Sequence, residues 1–389
     1  MKILFITPSP PNSLNRVRSK NIIISLSKLG HEVFLVSLVK NNKEQRSLEL
    51  MRSYVKGLVG VRQPVWLSAL QCVAGLFLPI PLQVSYCYSR KLIKELKKEK
   101  YNNFDIVYIK RLRMAQYARL FADKNKIFVD LTDSMIKYFQ RLKDASKSLS
   151  KVLALEEYYK HKLYEPKICN KYKNIIICSQ DDKRYLVNNF GCSKNKFYVL
   201  ENGINLDEWK CKQKIIKKNL YNLVFWGVMN VETNILSCKF FINKVIPLLS
   251  GKYSLSVVGP KPGQELTQYS SKRIRFTGYI DNICKALSNM GIFVCPIVSG
   301  AGVNNKIIQA SLIGMPIVST SLGVEGITSK LKKYIFIADR PQDFVNKINQ
   351  ILNMDKASLE SLQAKQIKVT KEYYDVYNIV KKFSDKFLV

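Results

Sequence analysis

The chain alternates between short runs of apolar residues and longer segments in which apolar residues recur at helical spacing. Helical spacing is clearest at residues 17–29, 89–99 and 148–172. Short apolar strands separated by helices are typical of parallel sheets covered on both faces, so the pattern predicts an α/β protein. The apolar runs predict strands at residues 1–7, 31–38, 106–109, 127–131, 175–178, 197–200, 223–226, 254–258, 274–276, 292–295 and 317–319.

The length of the chain indicates two domains. A chain of 389 residues is longer than one compact domain usually grows, and the alternation of strands and helices runs through both halves. The turn at residues 201–203, Glu-Asn-Gly, is the best boundary between them. We therefore predict two doubly wound domains, the first spanning residues 1–202.

The segment 300–321, GAGVNNKIIQASLIGMPIVSTS, carries the clearest chemical signal. Its two opening glycines would let the backbone approach a ligand closely. A helix that opens at residues 304–306 would present its first amide N–H groups and the Lys306 ammonium to an anion. Gly314 predicts the end of that helix, before a strand at residues 317–319. The segment fits a phosphate site, and it also fits an ordinary αβ unit with a glycine-containing loop.

Cysteine and histidine usage argues against a metal centre or a disulfide framework. The nine cysteines are an odd number and form no C-x-x-C pair, which predicts reduced thiols. His31 and His161 are the only histidines, so a multi-histidine metal site is excluded. The opening MKILFITPSPP is too short and too soon interrupted by proline for a secretory signal, so we expect a cytoplasmic protein.

The charge is strongly positive and uneven. The formal net charge is +34, with 37 Lys and Arg against 15 Asp and Glu in residues 1–200, and 26 against 14 in residues 201–389. This excess is compatible with a solvated lysine-rich surface without a partner. It is also compatible with attraction to an anionic surface, either phospholipid headgroups or nucleic acid.

An uncharged stretch lies between Arg62 and Arg90 and contains PVWLSALQCVAGLFLPIPL. Three outcomes are open: a buried core helix, an apolar surface in a lipid interface, or a membrane span, which the prolines at its end disfavour. The flanking residues 90–126 hold twelve Lys and Arg against four acids. A basic collar beside an apolar segment is typical of an enzyme on an anionic membrane surface.

Segment 300–321 resembles the donor-site signature of the retaining GT-B glycosyltransferases of family four, especially the bacterial exopolysaccharide-associated branch. That signature reads Gly-x-x-Asn-Lys-x-x-Glu-Ala, followed by small-Gly-x-Pro-x-Val-x-Thr. Gln309 stands where the family usually has a Glu, and Ala301 where many members have a second acid. The positions that match are Gly302, Asn305, Lys306, Ala310, Gly314, Pro316, Val318 and Thr320.

Other segments resemble the same family in the same order, so the likeness covers nearly the whole chain. The first loop departs from it, because Ser13, Leu14 and Asn15 stand where the family usually has glycine. The matching segments are Pro81-Leu82-Gln83, the acidic strand end Asp130-Leu131-Thr132-Asp133-Ser134, the junction Asn202-Gly203-Ile204, and the strand ends Phe225-Trp226-Gly227, Val257-Val258-Gly259 and Phe276-Thr277-Gly278.

The resemblance implies a GT-B fold with two Rossmann-like domains that face a cleft: an acceptor domain at 1–202, a donor domain at 203–370, and a helix at 371–389 that returns to the first domain. It implies transfer, with retention, from a nucleotide sugar to a lipid-linked or polysaccharide acceptor at the inner face of the cell membrane. The resemblance implies neither a metal nor another cofactor. The implied site residues are Asp133 and Lys306 for catalysis, Gly227, Gly259, Gly302, Val303, Asn304, Asn305, Lys306, Gln309 and Glu325 for the donor, and Ser13, Asn15 and Arg18 for the acceptor or phosphate loop.

Two other function classes remain. Because Ala301 and Gln309 replace the usual acids, the chain could be a non-catalytic sugar- or polymer-binding protein on a degenerate transferase fold. Nucleic-acid binding rests on charge alone, and since no nucleic-acid motif accompanies the charge, we expect no nucleic-acid partner.

Overall fold

The computed structural model describes residues 1–11, 17–145, 148–209, 220–281, 283–287 and 290–388. The chain divides into two compact units. Unit 1 consists of Met1–Gly203 and Val376–Val389, and unit 2 of Ile204–Asp375. The chain thus leaves unit 1 after Gly203, one residue beyond the predicted boundary, and returns to it at Val376, five residues after the predicted start of the tail.

Unit 1 is built on a seven-stranded sheet in the order β3-β2-β1-β4-β5-β6-β7, in which every pair is parallel. The order reverses direction between β1 and β4, as in a doubly wound fold. The strands are β1 Lys2–Thr7, β2 Glu32–Val39, β3 Gly57–Arg62, β4 Ile106–Lys110, β5 Ile127–Thr132, β6 Asn174–Ile177 and β7 Phe197–Val199.

Helices cover both faces of this sheet over two separate apolar clusters. The helices of unit 1 are α1 Val17–Lys28, α2 Asn42–Glu49, α3 Val65–Leu76, α4 Leu82–Tyr86, α5 Arg90–Leu96, α6 Met135–Ala145, α7 Ser148–Lys171, α8 Gln180–Phe190 and, from the end of the chain, α16 Val376–Phe387.

Unit 2 has a six-stranded parallel sheet in the order β10-β9-β8-β11-β12-β13. Its strands are β8 Asn222–Trp226, β9 Ser254–Val258, β10 Ile274–Gly278, β11 Ile292–Cys295, β12 Ile317–Ser319 and β13 Phe336–Ile337. Its helices are α9 Glu232–Phe240, α10 Gln264–Thr267, α11 Ile283–Leu287, α12 Asn305–Ile313, α13 Ser329–Lys332, α14 Pro341–Asn353 and α15 Lys356–Tyr374.

The prediction of two Rossmann-like domains is confirmed, and each predicted strand overlaps an observed one. The sequence analysis missed β3 and β13. Strand β3 reads GLVGVR, and glycine weakens the apolar alternation that marks a strand. Gly57 is needed for packing, because a Cβ there would overlap the Phe34 ring, whereas a Cβ at Gly60 would meet the end of the flexible Gln45 side chain.

The uncharged stretch 63–89 does not form a buried core helix. Helix α3 leaves large apolar side chains in solvent, including Trp66 at 65% and Val73 at 58% exposed, and Phe77 beyond its end is 87% exposed. Within the described residues, no helix combines the length and the apolar character that crossing a membrane requires. Of the three outcomes considered, an apolar surface is the one that this exposure fits.

One cysteine departs from the expectation of reduced thiols. Cys284 is disulfide-bonded, whereas seven cysteines that the structure describes are free. The spacing argument failed here because disulfide partners need only meet in space and not in sequence.

Helix α16 belongs to the core of unit 1. Its Phe383 side chain is 1% exposed and lies against Tyr108, Phe128 and Tyr198, with ring centroids 6.4, 5.7 and 5.5 Å away. At the point of return, a Cβ on Gly203 would lie 2.5 Å from the Val376 Cα. The two chain segments are therefore in close contact at Gly203 and Val376, and only glycine fits at position 203.

We expect Phe383→Ala to destabilise unit 1 by about 3–5 kcal/mol, the usual cost of emptying a buried aromatic site. Urea unfolding followed by circular dichroism measures the change. Tyr377→Ala, at a position of α16 that is 37% exposed, is the matched control. A loss below about 1 kcal/mol for Phe383→Ala would contradict the placement of α16 in the core.

Candidate functional site

The loop before α12 has the local geometry that its sequence predicts. Gly302 has a φ of 84°, a left-handed conformation that glycine adopts without strain. Asn304 is the N-cap of α12, and its side chain accepts a hydrogen bond from the Lys306 amide at 3.3 Å. Asn305 is exposed in the first turn, and Gly314 ends the helix with a φ of 78°. The prediction of a helix from residues 304–306 to Gly314 is confirmed.

Lys306 is partly buried beneath the carboxyl end of the unit 2 sheet. Its Nζ donates to the Asn234 Oδ1 at 2.6 Å and lies 5.1 Å from the centre of the Phe225 ring. Burial lowers the pKa of Lys306, while neighbouring Cys295 acts in the opposite direction. No carboxylate pairs with this ammonium in the part of the chain that the structure describes. A partly buried cation without a counterion attracts an anion strongly, because little water screens it.

Two glycines at strand ends pack closely, and one of them borders Lys306. A Cβ at Gly227, just after β8, would lie 3.0 Å from the Lys306 Cε. A Cβ at Gly259, just after β9, would overlap the Gly227 carbonyl oxygen. The Gly227 amide also donates to the Val258 carbonyl at 3.0 Å, so the two strand ends are held together. Gly259 is thus required by the close packing of the two strand ends, and Gly227 lies against the lysine.

Gln309 lies one turn further along α12 and faces the same strand end. The Trp226 indole N–H donates to the Gln309 Oε1 at 3.3 Å. Because an indole N–H can only donate, this contact fixes which amide atom faces Trp226. The amide oxygen is engaged by the indole, which leaves the Nε2 group as the hydrogen-bond donor toward other partners.

The other predicted donor-site residues have different surroundings. Val303 is partly buried and packs against the apolar core of unit 2. Glu325 is partly buried in the turns that follow β12, where its amide donates to the Leu322 carbonyl at 3.2 Å.

Sequence reasoning missed Asn234 and Ser299. Asn234 in α9 accepts a hydrogen bond from Lys306 and donates one to the Val228 carbonyl at 2.9 Å, so it lies directly beside the lysine. A polar side chain in the first turn of the helix after β8 was the available signal. Ser299 is fully buried in the loop after β11, and its hydroxyl has no hydrogen-bond partner among the residues that the structure describes. No sequence pattern predicts a buried hydroxyl of this kind.

In unit 1 the two aspartates at the end of β5 lie in different environments. Asp133 is partly exposed, accepts from the Cys178 thiol at 2.9 Å and lies 3.5 Å from Arg111. Asp130 is fully buried and accepts from Lys110 at 2.7 Å and from Tyr108 at 2.5 Å. The predicted catalytic carboxylate is therefore the accessible one, and its buried neighbour organises the strand ends.

The Asp130 carboxylate remains ionised in spite of its burial. Burial alone would raise its pKa, but the charges of Lys110 and Arg18 and the hydrogen bonds from Lys110 and Tyr108 together hold the pKa below its usual value. Burial in turn lowers the pKa of Lys110 to about 7. Removing one member of such a buried pair typically costs about 3–5 kcal/mol, because the other charge is left without compensation.

Arg18 binds the protein's own backbone. Its guanidinium donates to the Leu200 and Glu201 carbonyls and to the Asn202 side chain, each at 2.8 Å. It also lies 3.7 Å from Asp130. The hydrogen bonds fasten the end of β7 to α1. Ser13 and Asn15, the other residues predicted for this loop, lie outside the described residues.

Asp133, Cys178 and Asp182 place three potential ligand atoms within 4.8 Å of one another. Lys137 pairs with Asp182 at 3.0 Å, and burial raises the pKa of the Cys178 thiol well above its ordinary value. A protonated thiol is a poor metal ligand, and a carboxylate already paired with lysine has less charge to offer. The donor set therefore does not favour a cation.

Comparison with known proteins identifies both units. Residues 17–208 match the family model described as Glycosyltransferase Family 4, and residues 221–354 match the one described as Glycosyl transferases group 1. Over 393 aligned residues the chain is 24% identical to a protein of Klebsiella pneumoniae described as an uncharacterized 44.6 kDa protein in the cps region. That match covers 96% of each chain.

Solved structures show the same fold. HepE of Anabaena, in complex with UDP and glucose, matches with a TM-score of 0.69 at 12% identity over 99% of both chains. Sucrose-phosphate synthase of Thermosynechococcus elongatus matches with a TM-score of 0.71 at 12% identity, over 100% of this chain and 98% of that one. The chain thus has the GT-B fold of glycosyltransferases, with a first unit that matches the Glycosyltransferase Family 4 model and a second that matches the Glycosyl transferases group 1 model.

Proposed function

We propose that the protein transfers a sugar, with retention, from a nucleoside-diphosphate sugar to a lipid-linked or polysaccharide acceptor during surface polysaccharide synthesis. The observation that carries the proposal is the Lys306 ammonium, which is partly buried at the start of α12 and faces no carboxylate among the described residues. The K. pneumoniae relative in a cps region supports the polysaccharide role, and the UDP and glucose bound by HepE support the donor class.

The diphosphate would be held at the start of α12. The first amide N–H groups of a helix carry a partial positive charge, and Lys306 adds a full one on the same side. The buried Ser299 hydroxyl, which has no partner within the described part of the chain, lies in the loop that leads to this helix and is one more group that a polar ligand could use. These groups compensate the charge that develops on the departing diphosphate.

Transfer requires one bond to break and one to form at the anomeric carbon. The bond from that carbon to the β-phosphate oxygen breaks while the acceptor hydroxyl oxygen attacks from the same face. The acceptor proton passes to the departing phosphate oxygen, so the reaction needs neither a histidine base nor a metal. We assign acceptor binding to unit 1, where Asp133 is the accessible carboxylate at a strand end, and donor binding to unit 2.

Gln309 would hold a hydroxyl of the donor in place of the usual glutamate. Trp226 fixes its Oε1, so its Nε2 group donates to the ligand. A neutral amide gives a weaker hydrogen bond than a carboxylate. The same replacement, together with Ala301, favours the second candidate function, a non-catalytic sugar-binding protein.

Lys306→Ala should weaken UDP binding by about 1.5–3 kcal/mol, roughly ten- to 150-fold in Kd, because a charge-assisted hydrogen bond is lost. Titration calorimetry measures the affinity. Lys356→Ala, at an exposed position of unit 2, is the matched control and should bind as the wild type does. Equal affinity in Lys306→Ala and wild type would remove this lysine from the site.

Gln309→Leu should lose about 1–3 kcal/mol of transition-state stabilisation, roughly 5- to 150-fold in transfer rate, because both the Trp226 N–H and a ligand hydroxyl lose their partner. Gln309→Glu keeps an acceptor for Trp226 and should retain far more activity. The assay is transfer, or slow donor hydrolysis, with the melting temperature as a check on folding. Absence of both activity and nucleotide binding in all three proteins would favour the non-catalytic function.

The surface of unit 1 supports membrane attachment at the inner face of the cell. Large apolar side chains are exposed on α3 and also on α7 of the same unit, where Val152 is 60% and Tyr159 57% exposed. Exposed apolar side chains on a cationic protein are typical of proteins that bind at the lipid interface. We therefore propose that unit 1 binds anionic membranes peripherally.

The protein should bind vesicles that contain phosphatidylglycerol more tightly than vesicles of phosphatidylcholine, and rising salt should weaken the binding because it screens the charges. Vesicle sedimentation measures the bound fraction. Phe77→Ser should reduce it, whereas Leu50→Ser, at a position of unit 1 that is 65% exposed, serves as the control. Equal partitioning into both kinds of vesicle at low salt would exclude the proposed attachment.

A further inference from the structure

Unit 1 contains a cavity that the proposed transfer reaction does not use. Its volume is about 890 Å³, within the range of small-molecule sites. Its walls come from α3 and the turn after it, from α4, from residues 112–120, and from the second half of α7. Most of the lining is hydrocarbon or aromatic. The apolar lining residues are Ala74, Leu78, Pro79, Ile80, Val84, Ala115, Leu163 and Ile168.

The walls are held in place by contacts of their own. Lys160 of α7 donates to the Gly75 and Leu76 carbonyls at 2.8 and 3.2 Å, which satisfies the end of α3 and ties it to α7. Gly75 in turn lies against Ser85 so closely that a Cβ there would overlap the serine hydroxyl. The cavity is thus preformed, and a ligand need not open it.

Three cationic side chains line the cavity. Arg119, Lys167 and Lys171 line it with exposed side chains, while none of its described lining residues is acidic. An apolar interior beside three cations complements an amphiphile with an anionic head. Val73 and Phe77, next in sequence to the lining residues Ala74 and Leu78, are exposed.

We infer that this cavity binds one hydrocarbon chain of an anionic lipid, whose phosphate lies against Arg119, Lys167 and Lys171. The inference deepens the proposed function, because it gives the membrane partner a specific lipid-binding site. The same chemistry fits two sources: a phospholipid of the bilayer, or the lipid phosphate of an acceptor. In either case burial of the hydrocarbon chain supplies affinity, and the three cations favour a lipid with an anionic head group.

The test uses dodecyl phosphate, below its micelle concentration, as the probe in titration calorimetry. Ala74→Trp would fill the cavity from an exposed position of α3 and should weaken binding at least tenfold. Val73→Trp places the same ring on the neighbouring residue, which does not line the cavity, and should bind as the wild type does. Equal binding by the two variants, or no binding by the wild type, would overturn the inference.

A second pair of variants tests the same site in case the tryptophan variants misfold. Leu163→Glu places a carboxylate on the cavity wall and should also weaken binding at least tenfold. Leu153→Glu is its control, because Leu153 is an exposed leucine of the same helix outside the cavity. Dodecyl maltoside, with the same chain and a neutral head, should bind more weakly than dodecyl phosphate; equal affinity would refute the role of the cations.

Competition separates the two lipid sources. Displacement of dodecyl phosphate by short-chain phosphatidylglycerol supports a bilayer lipid, displacement by a polyprenyl phosphate supports an acceptor lipid, and displacement by neither contradicts the site. Lys306→Ala should leave probe binding unchanged. Failure of the lipid site and failure of the donor site can therefore be told apart.

Discussion

The order of the strands decides where ligands can bind in each unit. In unit 2, β8 lies between β9 and β11, so the chain turns to opposite faces of the sheet after two neighbouring strands. That reversal opens a crevice at the carboxyl ends of the strands. Gly227 directly follows β8 and Asn234 lies in α9, and both contact Lys306, which lies at the start of α12 after β11. Residues far apart in sequence thus meet at one strand end because both strands point the same way.

The buried charges of the two units differ in how far their surroundings neutralise them. In unit 1 Asp130 is compensated by Lys110, Arg18 and Tyr108, and such a closed network maintains the fold. In unit 2 the ammonium of Lys306 has an amide and an aromatic ring beside it, and neither neutralises its charge. An uncompensated cation costs stability that a bound anion restores. This contrast is the physical reason for assigning the nucleotide to unit 2.

Much of the fold could be predicted from the sequence, because buried parallel strands read as continuous apolar runs and helix ends carry their own signals. Asn304 and Gly314 show this, since a capping side chain and a left-handed glycine are local requirements. Tertiary features could not be predicted. The polar side chain at the start of α9 marks Asn234 as a candidate but does not indicate that it meets Lys306, and the sequence near Arg18 does not indicate that it binds the carbonyls after β7. The apolar stretch of α3 is compatible with burial or exposure, and only packing decides between them.

The exposure of α3 is difficult to explain by folding alone. Leaving a large apolar side chain in water forgoes about 1.5–3 kcal/mol compared with burying it. Trp66, Leu70, Val73 and Phe77 are each more than half exposed, although the same unit buries comparable side chains throughout its sheet. These side chains cannot serve solubility, because the segment carries no charged residue. The lysines of α7, in the same unit, favour contact with an anionic partner over burial in a protein core. A lipid surface satisfies both conditions, because its interior buries the apolar side chains and its headgroups bind the cations.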